Sequence, residues 1–151
     1  MSEITVRETE LTEVVLKELI DMSEAWEQEN SCTGYRKNER SDIEGKRIFL
    51  AERDGNVVGY LFGYVDKAER SSSVMPDGTL CFEVDEVYVK PQYRSQGIGK
   101  LLFSYLEEAV RDEVEYVILS TATTNWKAIL HFYLDEVDMS FWNARVFKKI
   151  S

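Results

Sequence analysis

The stretch Val87-Tyr88-Val89-Lys90-Pro91-Gln92-Tyr93-Arg94-Ser95-Gln96-Gly97-Ile98-Gly99-Lys100 constrains this chain more than any other. A β-branched run meets Pro91, which lacks the amide that a ladder requires, so a strand ends there. Immediately after Gly97, the residues Ile98, Leu101, Leu102, Tyr105, Leu106, Ala109 and Val110 keep helical spacing, while Glu107, Glu108, Arg111 and Asp112 fall on the other face. A strand, a glycine turn and a helix in direct succession demand a sheet with a helix packed on it. Gly97 and Gly99, without Cβ atoms, permit positive φ and close approach, so the amides of Gly97, Ile98, Gly99 and Lys100 can point at phosphate oxygens. The helix dipole adds partial positive charge there, and Arg94 and Lys100 add whole charges. The same glycines also suit a tight turn with no ligand.

Two nucleotide motifs fail on this stretch. A Walker A loop requires glycine where Arg94 stands and Ser or Thr where Leu101 stands. A dinucleotide fingerprint requires a small residue at Leu102. A nucleotide triphosphatase or a dehydrogenase is thereby disfavoured.

The remainder of the chain predicts a single domain over residues 1–151. Ile4 to Val6 alternates as a strand, and Thr12 is placed to cap a helix whose Val15, Leu19, Met22 and Trp26 share one face. Glu27 to Lys46 is polar and reads as a loop with a short helix. Arg47–Glu52 and Val57–Val65 flank Asp54-Gly55-Asn56 as a hairpin, and Ser71-Ser72-Ser73, Pro76 and Asp77-Gly78 punctuate the way to a strand from Leu80 to Val89. Tyr116–Thr121 predicts a buried strand, Asn125–Asp135 a helix, and Ser140–Lys148 a closing strand. This order predicts a mixed α/β sheet with helices on its faces.

Eighteen basic and 28 acidic residues give a net charge of -10, which argues against a phosphate-backbone binder of nucleic acid and favours a cationic small substrate. The charged first twenty residues hold no signal peptide or membrane span, so a cytoplasmic protein is expected. Cys32 and Cys81 lack disulfide or metal-ligand spacing and read as reduced, packed thiols. His131 has no triad partners nearby and reads as helix surface or packing, and Trp26, Trp126 and Trp142 as core or interface residues.

Arg94-Ser95-Gln96-Gly97-Ile98-Gly99 resembles the Arg/Gln-x-x-Gly-x-Gly/Ala signature of the GNAT superfamily of acyl-CoA-dependent N-acyltransferases. Asn125, Ala128 and Phe132-Tyr133 are similar to that family's later Asn-x-x-Ala…Phe-Tyr helix, with Tyr133 one residue beyond the usual spacing and Asp138-Met139 in place of the usual Gly-Phe. Matching the Phe-Tyr pair implies a one-residue helical insertion. The resemblance implies a mostly antiparallel central sheet, with helices on both faces, that binds acetyl-CoA as cosubstrate. It places the diphosphate on the turn from Arg94 to Lys100 and the pantetheine arm along Val87, Tyr88 and Val89, with Asn125 either contacting that arm or capping its own helix. It implies transfer to a primary amine without a metal and allows a homodimer. Polyamines, aminoglycosides, amino acids and protein lysines or N-termini are all eligible acceptors, aminoglycosides being favoured because acidic pockets suit polycations. A non-catalytic acyl-CoA-binding regulatory module would keep the same turn.

Acetyl transfer needs a neutral amine, and deprotonating a lysine-like ammonium at pH 7 costs roughly 4.6 kcal/mol. On the strand before the turn, simple alternation puts Glu83 and Asp85 on one face and Glu86 on the other. The resemblance gives Glu83 the general-base position, whereas the residue alone equally suits a solvated strand carboxylate. Tyr133 is implied as the general acid for the thiolate, packing being the other reading, and an amide near Val87 as the oxyanion donor.

Overall fold

The computed structural model describes residues 3–70 and 73–150; Ser71 and Ser72 of the expected punctuation lie outside them. Five strands, β1 (Thr5–Thr9), β2 (Arg47–Arg53), β3 (Asn56–Lys67), β4 (Leu80–Val89) and β5 (Tyr116–Leu119), lie in sequence order in one sheet. All neighbours are antiparallel except β4 and β5, which are parallel. The β2–β3 turn places Asp54 and Gly55 at positive φ, the backbone that a two-residue hairpin needs.

Helices cover both faces. On one lies α1 (Glu13–Glu29), begun by a hydrogen bond from the Val15 amide to Thr12 Oγ1 at 3.2 Å and ended by Asn30 in the left-handed region. Its Val15, Leu19 and Met22, with Ile43 of the short α2 (Arg40–Ile43), bury against Ile48, Leu50, Tyr60, Phe62 and Tyr88 of the sheet. On the other lies α3 (Ile98–Val110), whose Ile98, Leu102, Phe103, Leu106 and Val110 pack on Phe49, Leu61, Phe82 and Val84. Each such side chain, fully buried, stabilises the fold by about 1.5–3 kcal/mol. Leu101 and Tyr105, expected on that apolar face, stand partly exposed, and Phe103 fills the core instead.

The C-terminal third departs most from expectation. The helix α4 (Trp126–His131) continues as a π turn over Phe132–Glu136, with the Val137 amide bonded to the Phe132 carbonyl at 3.0 Å. The π turn lies from Phe132 onward, whereas the Ile129 and Phe132 amides keep α-helical bonds to the Asn125 and Ala128 carbonyls, so the helix from Asn125 to Tyr133 shows no local insertion. The expected strand Ser140–Lys148 is not in the sheet: residues 140–150 join no strand, and Val146 and Phe147 are 94% and 91% exposed. Alternation and β-propensity mark a segment that suits a sheet, but they do not supply the edge it pairs with. Trp126 and Trp142 are likewise exposed, not core, while Trp26 stacks on Tyr35 and Tyr88.

Candidate active site

The site begins where β4 and β5 part. They pair from Cys81–Tyr116 to Val84–Leu119 and no further. The chain beyond β5 turns instead to the segment after α1, where the Thr33 amide bonds the Ala122 carbonyl at 3.0 Å and the Thr124 amide bonds the Ser31 carbonyl at 2.8 Å. From Asp85 to Val89, β4 therefore has a neighbour on the β3 side alone. The Lys90 amide bonds the Val58 carbonyl, which fixes the phase of the antiparallel ladder: Glu86 and Tyr88 aim their backbone groups at β3, Val87 and Val89 aim theirs into the opening. Arg94 Nε donates to the Val89 carbonyl from that side at 2.8 Å. The Val87 amide and carbonyl and the Val89 amide thus present the edge of an unfinished ladder.

A bulge lies at the same point. Phe62 opposes Glu86 but Gly63 opposes Val84, so Asp85 is an extra residue in β4. Gly63 makes this approach possible, since a Cβ there would sit 2.0 Å from the Glu83 carbonyl oxygen. The extra residue reverses the expected alternation. Glu83 opposes Tyr64 and Glu86 opposes Phe62, two residues apart on regular β3, so both carboxylates lie on the α1 face. The expectation that Glu86 faces the other way is corrected: alternation counts residues as if the pleat were unbroken.

These carboxylates have different surroundings. Lys46 pairs with Asp85 and lies 4.3 Å over the Tyr64 ring, so one negative charge is already met by an ammonium. Glu86 Oε1 accepts hydrogen bonds from Tyr60 Oη at 2.8 Å, Asn38 Nδ2 at 2.8 Å and Tyr35 Oη at 3.1 Å. Burial raises its pKa, and these three donors oppose the rise. Among the described residues Glu83 accepts no such bonds, and it lines a cavity of about 290 Å³ with Tyr64, Asp66, Lys67, Cys81 and Ile118. Burial, then Asp85 and Asp66, raise its pKa against the opposing Lys46 ammonium, which makes it a stronger base than an ordinary carboxylate.

On the opposite face, Tyr133 packs edge-on to Phe103 with centroids 5.8 Å apart, within the cluster under α3. Burial, with a smaller effect of Cys32, pushes its hydroxyl up to about 12, so it keeps its proton at neutral pH. Glu83 and Tyr133 therefore lie on opposite faces of the sheet.

At the end of β4, Pro91–Tyr93 forms one 3-10 turn, and Ser95 and Gly97 take φ of 62° and 82° before α3 begins. The first intrahelical bond runs from the Leu101 amide to the Gly97 carbonyl, leaving the amides of Ile98, Gly99 and Lys100 without intrahelical acceptors. Gly99 is needed for a different reason than Gly97: a Cβ there would lie 2.8 Å from the Phe132 ring. The cation placement differs from expectation. Arg94 pairs with Glu29 at 2.8 Å and lies over the Tyr88 ring, tying the turn to α1. Tyr88 Oη donates to the same Glu29 at 2.6 Å, so its side chain points away from the opening. Arg53, at the tip of the β2–β3 hairpin, reaches the turn instead, with Nη1 3.4 Å from Gln96 Oε1. It has no carboxylate within ion-pair distance among the described residues, and its buried Nε has no hydrogen-bond partner. Nothing local in the sequence marked Arg53, Tyr35, Asn38 or Tyr60, which the fold brings in from distant segments. Asn125 stands at the N-cap of α4 but makes no side-chain capping bond, contrary to the capping expectation. His131 bonds Asp135 on the surface, and both cysteines are free thiols.

Free strand amides, free helix-start amides and an unneutralised guanidinium beside them suit a long ligand carrying amides and phosphates, as acetyl-CoA does. No helix among the described residues is long and apolar enough to cross a membrane.

The profile of the acetyltransferase (GNAT) family matches residues 13–135. An uncharacterized N-acetyltransferase in the pepI 3' region of Lactobacillus delbrueckii subsp. lactis is 34% identical over 68 residues, which are 45% of this chain and 37% of that protein. The match thus spans little more than a third of that relative. An aminoglycoside acetyltransferase from an uncultured soil metagenomic sample, solved in complex with sisomicin, superposes with a TM-score of 0.67 at 16% identity, covering 98% of this chain and 97% of that one. The aminoglycoside N-acetyltransferase AAC(6')-Iy in complex with CoA gives a TM-score of 0.68 at 13% identity, covering 99% and 96%. At such identities these two structures share the fold with this chain. With the profile spanning most of its length and the opened strand edge meeting a glycine turn, the chain belongs to the GNAT acetyltransferase family.

Proposed function

We propose that this protein transfers the acetyl group of acetyl-CoA to a primary amine on a cationic small molecule, by direct attack in a ternary complex. The observation that carries the reading is the parting of β4 from β5 at Val84, which leaves the Val87 and Val89 backbone groups facing an opening. Acetyl-CoA, when bound, supplies an activated thioester. In this reading the Val87 and Val89 backbone completes its ladder on the pantetheine amides, and the amides at the start of α3 hold the diphosphate with Arg53 and Lys100 adding charge. A strand amide near Val87 holds the carbonyl oxygen as charge develops on it. Glu83 takes the proton from the attacking amine, directly or through water, helped by its raised pKa. Tyr133, still protonated at neutral pH, gives a proton to the departing thiolate from the other face.

The carboxylate face at Glu83, Asp85 and Glu86, where the Lys46 ammonium already sits, supports a cationic acceptor, and aminoglycosides and polyamines are the favoured classes. A cytoplasmic location and a homodimer are part of the same reading. The test is a screen for release of free CoA from acetyl-CoA against aminoglycosides, polyamines, amino acids and lysine peptides. Release with a polycationic amine is expected. Binding of acetyl-CoA without release for any amine would favour a regulatory module.

A further inference from the structure

The polar chain around Glu86 ties together more of the molecule than a solvated carboxylate requires. On the buried side of α1, Ser23 is 0% and Asn38 6% exposed. The Asn38 amide donates to Ser23 Oγ at 2.7 Å, and Ser23 Oγ shares a 2.6 Å hydrogen bond with Tyr35 Oη. Asn38 Nδ2 and Tyr35 Oη are also two of the three donors to Glu86 Oε1, and the Tyr35 ring stacks on Trp26 with centroids 4.3 Å apart. Both ends of the segment 35–38 are thereby tied to α1 and to β4 at once. A buried polar network whose members satisfy one another fixes a single arrangement of the segments it joins.

What this segment carries is the chain beyond β5. The Tyr35 amide bonds the Cys32 carbonyl at 3.4 Å, a turn that leads straight back to residues 31–33. Those residues take up 122–124. Beyond the two backbone bonds already described, Cys32 opposes Thr123 in an antiparallel bridge, and the Thr123 and Thr124 hydroxyls both donate to the Ser31 carbonyl, at 3.3 and 3.1 Å. Had β5 kept the register in which Leu119 opposes Val84, residues 120–124 would lie against 85–89 and close the opening. They are drawn onto 31–33 instead, and 31–33 is anchored through 35–38 on Glu86, a side chain of the very half-strand that stands open.

We infer that Glu86 is a positioning residue: through Tyr35 and Asn38 it pins the segment after α1, and that segment holds the chain after β5 away from β4. The bulge at Asp85 lets the two strands part, and the pin keeps them parted. The role requires the hydrogen bonds to Oε1 and not the charge. Its consequence for acetyl-CoA rests on the proposed function, whereas the pin itself does not.

Hydrogen exchange at the Thr33 and Thr124 amides, with calorimetry of acetyl-CoA binding on the same chains, tests it. Tyr35→Phe combined with Asn38→Ala removes both bonds from the segment to Glu86 and leaves the carboxylate its bond from Tyr60. Protection at Thr33 and Thr124 should fall while that of Leu102 and Leu106 in α3 is kept. If the opening then persists in about a tenth of the molecules, the Kd for acetyl-CoA rises about tenfold. Glu86→Ala should act in the same way. Glu86→Gln, whose amide oxygen accepts the same three bonds, should bring protection and affinity back near the wild-type values. Tyr35→Phe alone keeps the stack on Trp26, is expected to give a smaller shift in the same direction, and decides the matter if the alanine variants fail to fold. Unchanged protection in a folded double variant overturns the inference, and so does a Glu86→Gln chain as impaired as Glu86→Ala. Lost protection with unaltered acetyl-CoA affinity overturns it too, because the opening would then stand without the pin. A wild-type chain that takes up no acetyl-CoA removes the acetyl-transfer reading, and the exchange at Thr33 and Thr124 then decides the pin alone.

Discussion

The two halves of β4 make an informative contrast. From Leu80 to Val84 the strand is hydrogen-bonded on both sides, and Phe82 and Val84 are buried under α3. From Asp85 to Val89 it keeps only β3, and the Val87 amide and carbonyl and the Val89 amide face the opening without a strand partner. Composition does not separate them, since each half mixes apolar residues with carboxylates. The bulge at Asp85 does, and it rests on Gly63 of the neighbouring strand. One strand thus holds the core with one half and opens its edge with the other, and the junction rests on Gly63 of the neighbouring strand.

Substitution at that junction should have the largest effect. Gly63→Ala puts a methyl group 2.0 Å from the Glu83 carbonyl oxygen, so the halves must separate or shift. A loss of about 3 kcal/mol or more in urea unfolding is expected. Near-wild-type stability would mean the bulge is not built this way. Next comes Glu83→Gln, which should lower turnover about 10²- to 10⁴-fold below the pKa of the amine and progressively less above it, where the amine is already neutral. Because burial raises the Glu83 pKa, the wild-type acid limb should lie above the ordinary carboxylate value of 4.5, and the variant should lack that limb. Tyr133→Phe should lower turnover by about 10²-fold while calorimetric affinity for acetyl-CoA stays the same. Loss of affinity in that variant would make the residue a packing element.

Smaller effects are expected beyond the strand. Gly97→Ala forces a side chain into a φ of 82° with no steric neighbour, so the cost is conformational, about 1–2 kcal/mol, and acetyl-CoA should bind more weakly. Arg94→Ala should cost under about 1 kcal/mol at neutral pH, since its pair with Glu29 is partly exposed. Burial tends to raise the Glu29 pKa, but Arg94 and Tyr88 lower it on balance. A carboxylate held low contributes stability above its unfolded pKa and loses it as pH falls through the folded value. Arg94→Ala should therefore reduce the acid sensitivity of the wild-type chain between those two values.

Local signals in the sequence found the elements that depend on local chemistry. The helical spacing after Gly97, the stop at Pro91 and the Asp54-Gly55 turn all stand in the structure. The site's turn was legible for the same reason, because positive φ at Gly97 leaves a glycine in the sequence. The face assigned to Glu86 was not legible, since a bulge inserts one residue without changing composition. Its sole trace is Gly63, an ordinary glycine until β4 is laid beside it. The pairing of Arg94 with Glu29, 65 positions apart, likewise depends on α1 crossing the end of β4. The segment 140–149 was recognised as strand-like, but a strand is a relation between two chains of backbone and the sequence names only one.

Calorimetric titration of the folded chain with acetyl-CoA tests the central claim most directly, that the opened half of β4 and the turn after it form one binding site. Saturable one-to-one uptake is predicted, weakened by Gly97→Ala. No uptake by folded protein would contradict the account.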